Sequence, residues 1–256
     1  MSLNADSFID RIKLKSELVR WRALAIVSLV LLGLVITTKS LGLMSPFGTI
    51  GRVSINGIIL ENKHREDALI AVAQNPRIKA LIVEINSPGG TFVGGEALFE
   101  TIRHVAKEKP VVAVIGSVGA SGGYMVALGA DYIIARKGSI VGSIGVMLQA
   151  VEVTELAKKL GITLTTLKSG ELKGAPSPFE KLTPTAKNVV QQTITESFDM
   201  FVNMVSSRRQ LPLEDTYKLS DGRIYTGRKA HQHNLIDKIG GENEALEWLY
   251  NTKNIS

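Results

Sequence analysis

The chain has 256 residues, 45% of them hydrophobic and 21% charged, with a formal net charge of +6 at pH 7, so it can bury a full core as one large domain with an appendage. It lacks cysteine, which excludes structural disulfides and cysteine-based metal sites. Its basic residues are scattered, with runs no longer than pairs such as Arg208-Arg209 and Arg228-Lys229, which points to a solvated surface and no nucleic-acid partner.

The first 22 residues carry Arg11, Lys13, Lys15, Arg20 and Arg22, and residues 23–38, ALAIVSLVLLGLVITT, hold no charge. A bilayer takes roughly 17 to 25 residues of helix, so this stretch is of marginal spanning length. A cleaved signal peptide is the rival reading. The long leading segment of mixed sign and the lack of an A-x-A pattern after the apolar run favour an uncleaved transmembrane anchor. The basic excess before it, against Lys39 alone before Arg52, places a cytoplasmic segment at 1–22. The remainder then faces the outer or periplasmic side of a cytoplasmic membrane. LGLMSPFG lies within a linker at 39–48, and a folded domain fills 49–256.

From there, apolar runs of strand length alternate with helical patterns. Strands are expected at 53–60, 79–85, 111–115, 132–135 and 162–167 (ITLTTL), with helices near 65–74, near 95–107 and just after Ser121. Buried runs separated by helices predict an α/β fold with a mostly parallel sheet. A long helix is expected to start at Thr183 as N-cap with Pro184 in its first turn, carrying the stripe Val190, Ile194, Phe198, Phe201 and Val205. NEALEWLY, at 243–250, reads as a closing amphipathic helix.

Two glycine-rich turns follow buried strands: INSPGG at 85–90 and GASGG at 119–123. In a parallel sheet both emerge at the carboxyl edge, where sites gather. Neither fits a phosphate-binding loop. In the plain reading the glycines permit tight turns and Ser121 caps the next helix. In the sharper one Ser121 is a nucleophile, with the amide of Gly122 and one from the Pro88-Gly89-Gly90 turn facing a developing oxyanion.

GASGG also satisfies G-x-S-x-G, the hydrolase elbow, with Asp199, Asp215 or Asp221 and His231 or His233 in the right order. Against that reading, Gly116, Ser117 and Val118 separate the expected strand from the motif, and the two histidines sit in a polar stretch that reads as surface. The alternative base is a lysine in KSGELKGAPSP, at 168–178. An ordinary lysine, with pKa about 10.4, is neutral in only about one molecule in 2,500 at pH 7, so such a base must be desolvated. Serine-lysine pairs are a known variant of triad chemistry.

Taken in order, INSPGG, VGASGGYMVALGADYIIA, GSIVGSIGV, LKSGELKGAPSPF and DGRIYTGRKAHQHNLIDKIGG resemble the signal peptide peptidase A family of membrane-anchored serine-lysine peptidases. The resemblance implies a Clp/crotonase-like β-β-α spiral. It implies Ser121 as nucleophile and Lys173 as general base, with Lys168 outside the catalytic pair. It further implies Gly90 and Gly122 as oxyanion-hole positions and Ser143 as a residue that either orients the lysine or forms a turn. No cofactor or metal is expected. Clp-type subunits use a histidine about 25 residues beyond their serine, and here that neighbourhood reads GSIGVML.

The same resemblance implies peptide substrates, namely remnant signal peptides or other membrane-associated peptides. It also implies a homo-oligomeric ring in which the serine and lysine of one site come from neighbouring subunits. Two other functions compete: a catalytically idle scaffold, and a crotonase-like enzyme acting on a thioester.

Overall fold

The computed structural model describes residues 3–40 and 49–255. The chain divides into two compact units, 1–48 and 49–256. The first is a single helix, α1 (Leu3–Ser40), whose described side chains, at 14, 15 and 17–33, are all exposed. Among the described residues no helix is long and apolar enough to cross a membrane. The far end of the expected anchor, the side chains of 34–38, and most of the linker, 41–48, lie outside the described residues.

The second unit is a seven-stranded, mostly parallel sheet. Its first half repeats strand and helix: β1 (Thr49–Ile59), α2 (Lys63–Gln74), β2 (Ile78–Gly90), α3 (Phe92–Glu108), β3 (Val111–Ala120), α4 (Gly122–Leu128) and β4 (Tyr132–Ala135). β5 (Ile140–Gly142), α5 (Thr154–Lys159), α6 (Pro184–Arg209), α7 (Leu213–Leu219), β6 (Ile224–Thr226), α8 (Gly227–Gln232), β7 (Lys238–Ile239) and α9 (Glu242–Lys253) complete it. The strand order is β1-β2-β3-β4-β7, with β5 beside the end of β3 and β6 antiparallel to β5.

The central strands are mostly apolar because both of their faces are covered. Leu81, Val83 and Ile85 of β2 and Val111, Ala113 and Ile115 of β3 join a core with Leu98, Ile102 and Val105 of α3 and with Phe201 and Val205 of α6. The alternate residues Ala80, Ile82, Val112 and Ile134 meet Ala245 and Leu249 of α9 on the other face. Trp248 of α9 stacks on Tyr132 there, with ring centroids 4.9 Å apart. The α6 start is as expected, with Thr183 Oγ1 accepting from the Ala186 amide and Pro184 in the first turn. The stripe on that helix divides: Phe201 and Val205 are core, whereas Val190, Ile194 and Phe198 are only half-buried.

Polar side chains tie α6 to the end of α4 and tie both helices to the segment before β7. Arg208 donates to the carbonyls of Leu128 and Ala130 at 2.8 and 2.9 Å. Arg209 grips Asp237 through two hydrogen bonds of 3.1 and 2.8 Å, and Asp237 also accepts from the Ile133 amide at 2.7 Å. Tyr124 of α4, fully buried, donates to the Leu235 carbonyl at 2.7 Å, and burial pushes its phenol above the ordinary range. Asp237→Ala would leave a guanidinium only 10% exposed without its counter-ion. The expected cost is about 2 to 3 kcal/mol, read as a lower urea midpoint at unchanged slope.

Two expectations are corrected. Residues 162–167 do not form a strand: they run exposed, with Leu167 93% accessible, because no neighbouring strand offers its amides. Conversely, β3 does not stop at Ile115. It continues to Ala120 by changing partners, pairing with β4 over Val112–Ile115 and with β5 over Val118–Ala120.

Candidate active site

Ser121 sits directly between β3 and α4, at φ 52° and ψ −123°. That backbone geometry is sparsely populated for any residue with a Cβ, so the surrounding structure must impose it. Its amide donates to the Gly142 carbonyl at 2.8 Å, and its own carbonyl accepts from Tyr124 and Met125 at 2.9 Å, which fixes the junction on both sides. The side chain makes no capping hydrogen bond to α4, so the plain reading of a capping serine is corrected. The expected gap between strand and motif also closes, since β3 reaches the residue before Ser121.

The Pro88-Gly89-Gly90 turn of β2 lies against this junction. Gly89 holds φ +114°, and a methyl there would stand 2.9 Å from Ser121 Cβ and 3.2 Å from its Oγ. Buried Ser87 secures the turn by accepting from the Gly89 amide at 3.1 Å. A methyl on Gly122 would come 3.3 Å from the Gly90 nitrogen, so the two backbones are in direct contact. At Gly90 a methyl would fall 1.8 Å from the Ile59 carbonyl oxygen.

Ser121, Gly90 and Gly122 open onto one cavity of about 640 Å³. Ser143, at the end of β5 with φ 50°, faces the same space, and its amide donates to the Arg223 carbonyl at 2.9 Å. Phe92, Met125, Val146, Met147 and Phe201 supply apolar lining. A strained serine hydroxyl beside two backbone turns and an apolar recess can attack an electrophile and accommodate an apolar group next to it.

Lys173 is not brought to this cavity. It is exposed, and its amide donates to the Gly170 carbonyl at 3.1 Å. Lys168 is paired with Glu180, whose carboxyl is held below its usual range by that hydrogen bond.

The triad candidates fare no better. Asp199 accepts from Tyr217 Oη at 2.9 Å, Asp215 from Lys218 at 3.1 Å, and Asp221 is gripped by Arg223, which draws its carboxyl down to about 2. His231 and His233 do not line the cavity, and His233 lies edge-on to Tyr225 with centroids 5.4 Å apart.

Residues 103–256, more than half of the chain, match the model of peptidase family S49. The chain belongs to peptidase family S49. A Methanocaldococcus jannaschii protein provisionally named a protease is 42% identical over 179 residues, which cover 70% of this chain and 58% of that relative. An Enterococcus faecium protein provisionally named signal peptide peptidase SppA is 31% identical over 219 residues, covering 80% of this chain and 64% of the relative. The chloroplastic serine protease SPPA of Arabidopsis thaliana is 29% identical over 222 residues, covering 84% and 32%. The chain thus spans less than two thirds of each. The kinship with signal peptide peptidase A expected from the ordered motifs is thereby borne out.

Sequence reasoning missed most of the cavity lining, Thr91, Met147 and Gly222 among it. Thr91 had a detectable signal, since a threonine following PGG and preceding a helical pattern is an N-cap, and its Oγ1 accepts from the Gly94 amide at 3.1 Å.

Proposed function

We propose that this chain is a serine endopeptidase that cleaves membrane-associated peptides, remnant signal peptides among them, through an acyl-enzyme on Ser121. The observation that carries the reading is Ser121 itself: a serine forced to positive φ at a strand-helix junction, in contact with a glycine turn and open to a cavity with both polar and apolar lining. Lys173 acts as general base. Its neutral amine takes the Oγ proton as the oxygen attacks the peptide carbonyl carbon, and the amides of Gly90 and Gly122 hold the resulting oxyanion. The ammonium then returns the proton to the leaving amine. Water, deprotonated by the same amine, releases the acid and restores the serine. Ser143 faces the cavity where it would orient the incoming lysine.

The lysine of one site comes from a neighbouring copy in a homo-oligomeric ring. Support lies in the exposure of Lys173 away from its own cavity and in apolar side chains left exposed within residues 147–167. Met147 is 86% exposed, Val151 67%, Leu160 67% and Leu167 93%, a stretch that a soluble monomer would not leave open. The fold supports kinship with the Clp/crotonase spiral through its repeated parallel β-α units and glycine turns. Residues 23–38 serve as an anchor that keeps the N-terminus in the cytoplasm and the peptidase domain on the outer side.

A fluorophosphonate probe tests the central claim. Full-length protein in detergent should be labelled, and peptide mapping should find the adduct on Ser121. Labelling of another residue, with Ser121 unmodified, would sink the assignment.

A further inference from the structure

β3 carries a bulge that the reaction scheme does not use. Ile85 of β2 pairs with Ile115, and Ser87 pairs with Gly119, so Asn86 alone spans what Gly116, Ser117 and Val118 cover on β3. The extra residues interrupt the ladder, and the backbone groups released there need other partners. Two side chains supply them. Asn86 Oδ1 accepts from the Val118 amide at 3.2 Å. Ser139, only 2% exposed, donates its hydroxyl to the Gly116 carbonyl at 2.5 Å and to the Ile115 carbonyl at 3.4 Å. The same Oγ accepts from the Arg136 amide at 3.0 Å, which ties the bulge to the turn between β4 and β5.

The position of the bulge gives these contacts a consequence. It is where β3 leaves β4 and takes up β5, three residues before Ser121. β5 in turn supplies Gly142, whose carbonyl holds the Ser121 amide, and Ser143, which faces the same cavity. A bulge allowed to slip would restore the simple ladder, rotate the strand end and re-aim both serines.

We propose that Asn86 and Ser139 are positioning residues that pin this bulge and thereby set the attack geometry of Ser121. The inference rests on Ser121 being the nucleophile. Displacements near 1 Å cost turnover by about a hundredfold in well-oriented sites, so loss of either pin should lower kcat by about 10- to 100-fold with little change in KM.

The test uses full-length Asn86→Ala, Asn86→Asp, Ser139→Ala and Ser139→Thr, each checked for native circular dichroism and melting temperature. Peptide cleavage and the rate of fluorophosphonate labelling are then measured. Asn86→Asp and Ser139→Thr retain the acceptor and the hydroxyl, and should stay within about threefold of the parent, while both alanine variants lose kcat and labelling rate together. Full kcat in the folded alanine variants, or equal losses in the conservative ones, overturns the proposal. A parent protein that the probe does not label at Ser121 overturns the nucleophile assignment and this proposal together. Normal labelling in both parent and alanine variants overturns this one alone.

Discussion

Lys173→Ala and Ser121→Ala chains, expressed separately, are each expected to lose peptide cleavage by about three orders of magnitude or more, because neither group works without the other. Expressed together they should regain activity. In a ring whose sites draw serine from one copy and lysine from the next, about a quarter of randomly formed sites combine two intact partners. A site closed within one chain would recover nothing, since every copy carries a lesion. Lys168→Ala should impair turnover far less, because that amine is already committed to Glu180. The measurement is specific peptidase activity of the co-purified mixture against each homogeneous variant.

Gly90→Ala carries the second large effect. The added methyl would stand 1.8 Å from the Ile59 carbonyl oxygen, a distance no relaxation of a side chain can relieve because both partners are backbone. The turn must move off β1, taking the Gly90 amide away from Ser121. Removal of one oxyanion donor costs about 10²- to 10³-fold in kcat, and that range is the expectation here. Overpacking adds about 1 to 3 kcal/mol of destabilisation, visible as a lower melting temperature. The two readouts separate: titration with a stabilising osmolyte should restore folded protein and leave kcat low.

The strands that could be read from sequence were those buried on both faces. VVAVI, and ALIVEI but for Glu84, are apolar runs because α3 and α6 cover one side and α9 the other. ITLTTL alternates apolar and polar residues as a strand should, yet alternation reports only a side-chain period and not the presence of a pairing partner. The end of β3 was hidden for the opposite reason. Glycines at 116 and 119 read as a turn, whereas here they belong to a bulged strand. Ser121, Gly90, Gly122 and Ser143 were legible because glycine-rich turns at strand ends advertise themselves, and the structure gathers all four around one cavity. Lys173 could be nominated but not located, since a short-range pattern carries no information on which surface, or whose, a loop will meet. Ser139 gave no signal at all: one serine among small residues looks like any turn, and only the unpaired carbonyl beside it reveals its use.

The exposed stretch from Met147 to Leu182 has a consequence for the life of the chain. If nucleophile and base are drawn from neighbouring copies, as proposed above, a newly made copy would stay harmless until it meets others. Confinement to a sheet of lipid would then act as the trigger. Two-dimensional crowding raises the encounter rate, and proteolytic power would climb more steeply than the number of chains, so that small changes in expression would switch the peptidase on or off.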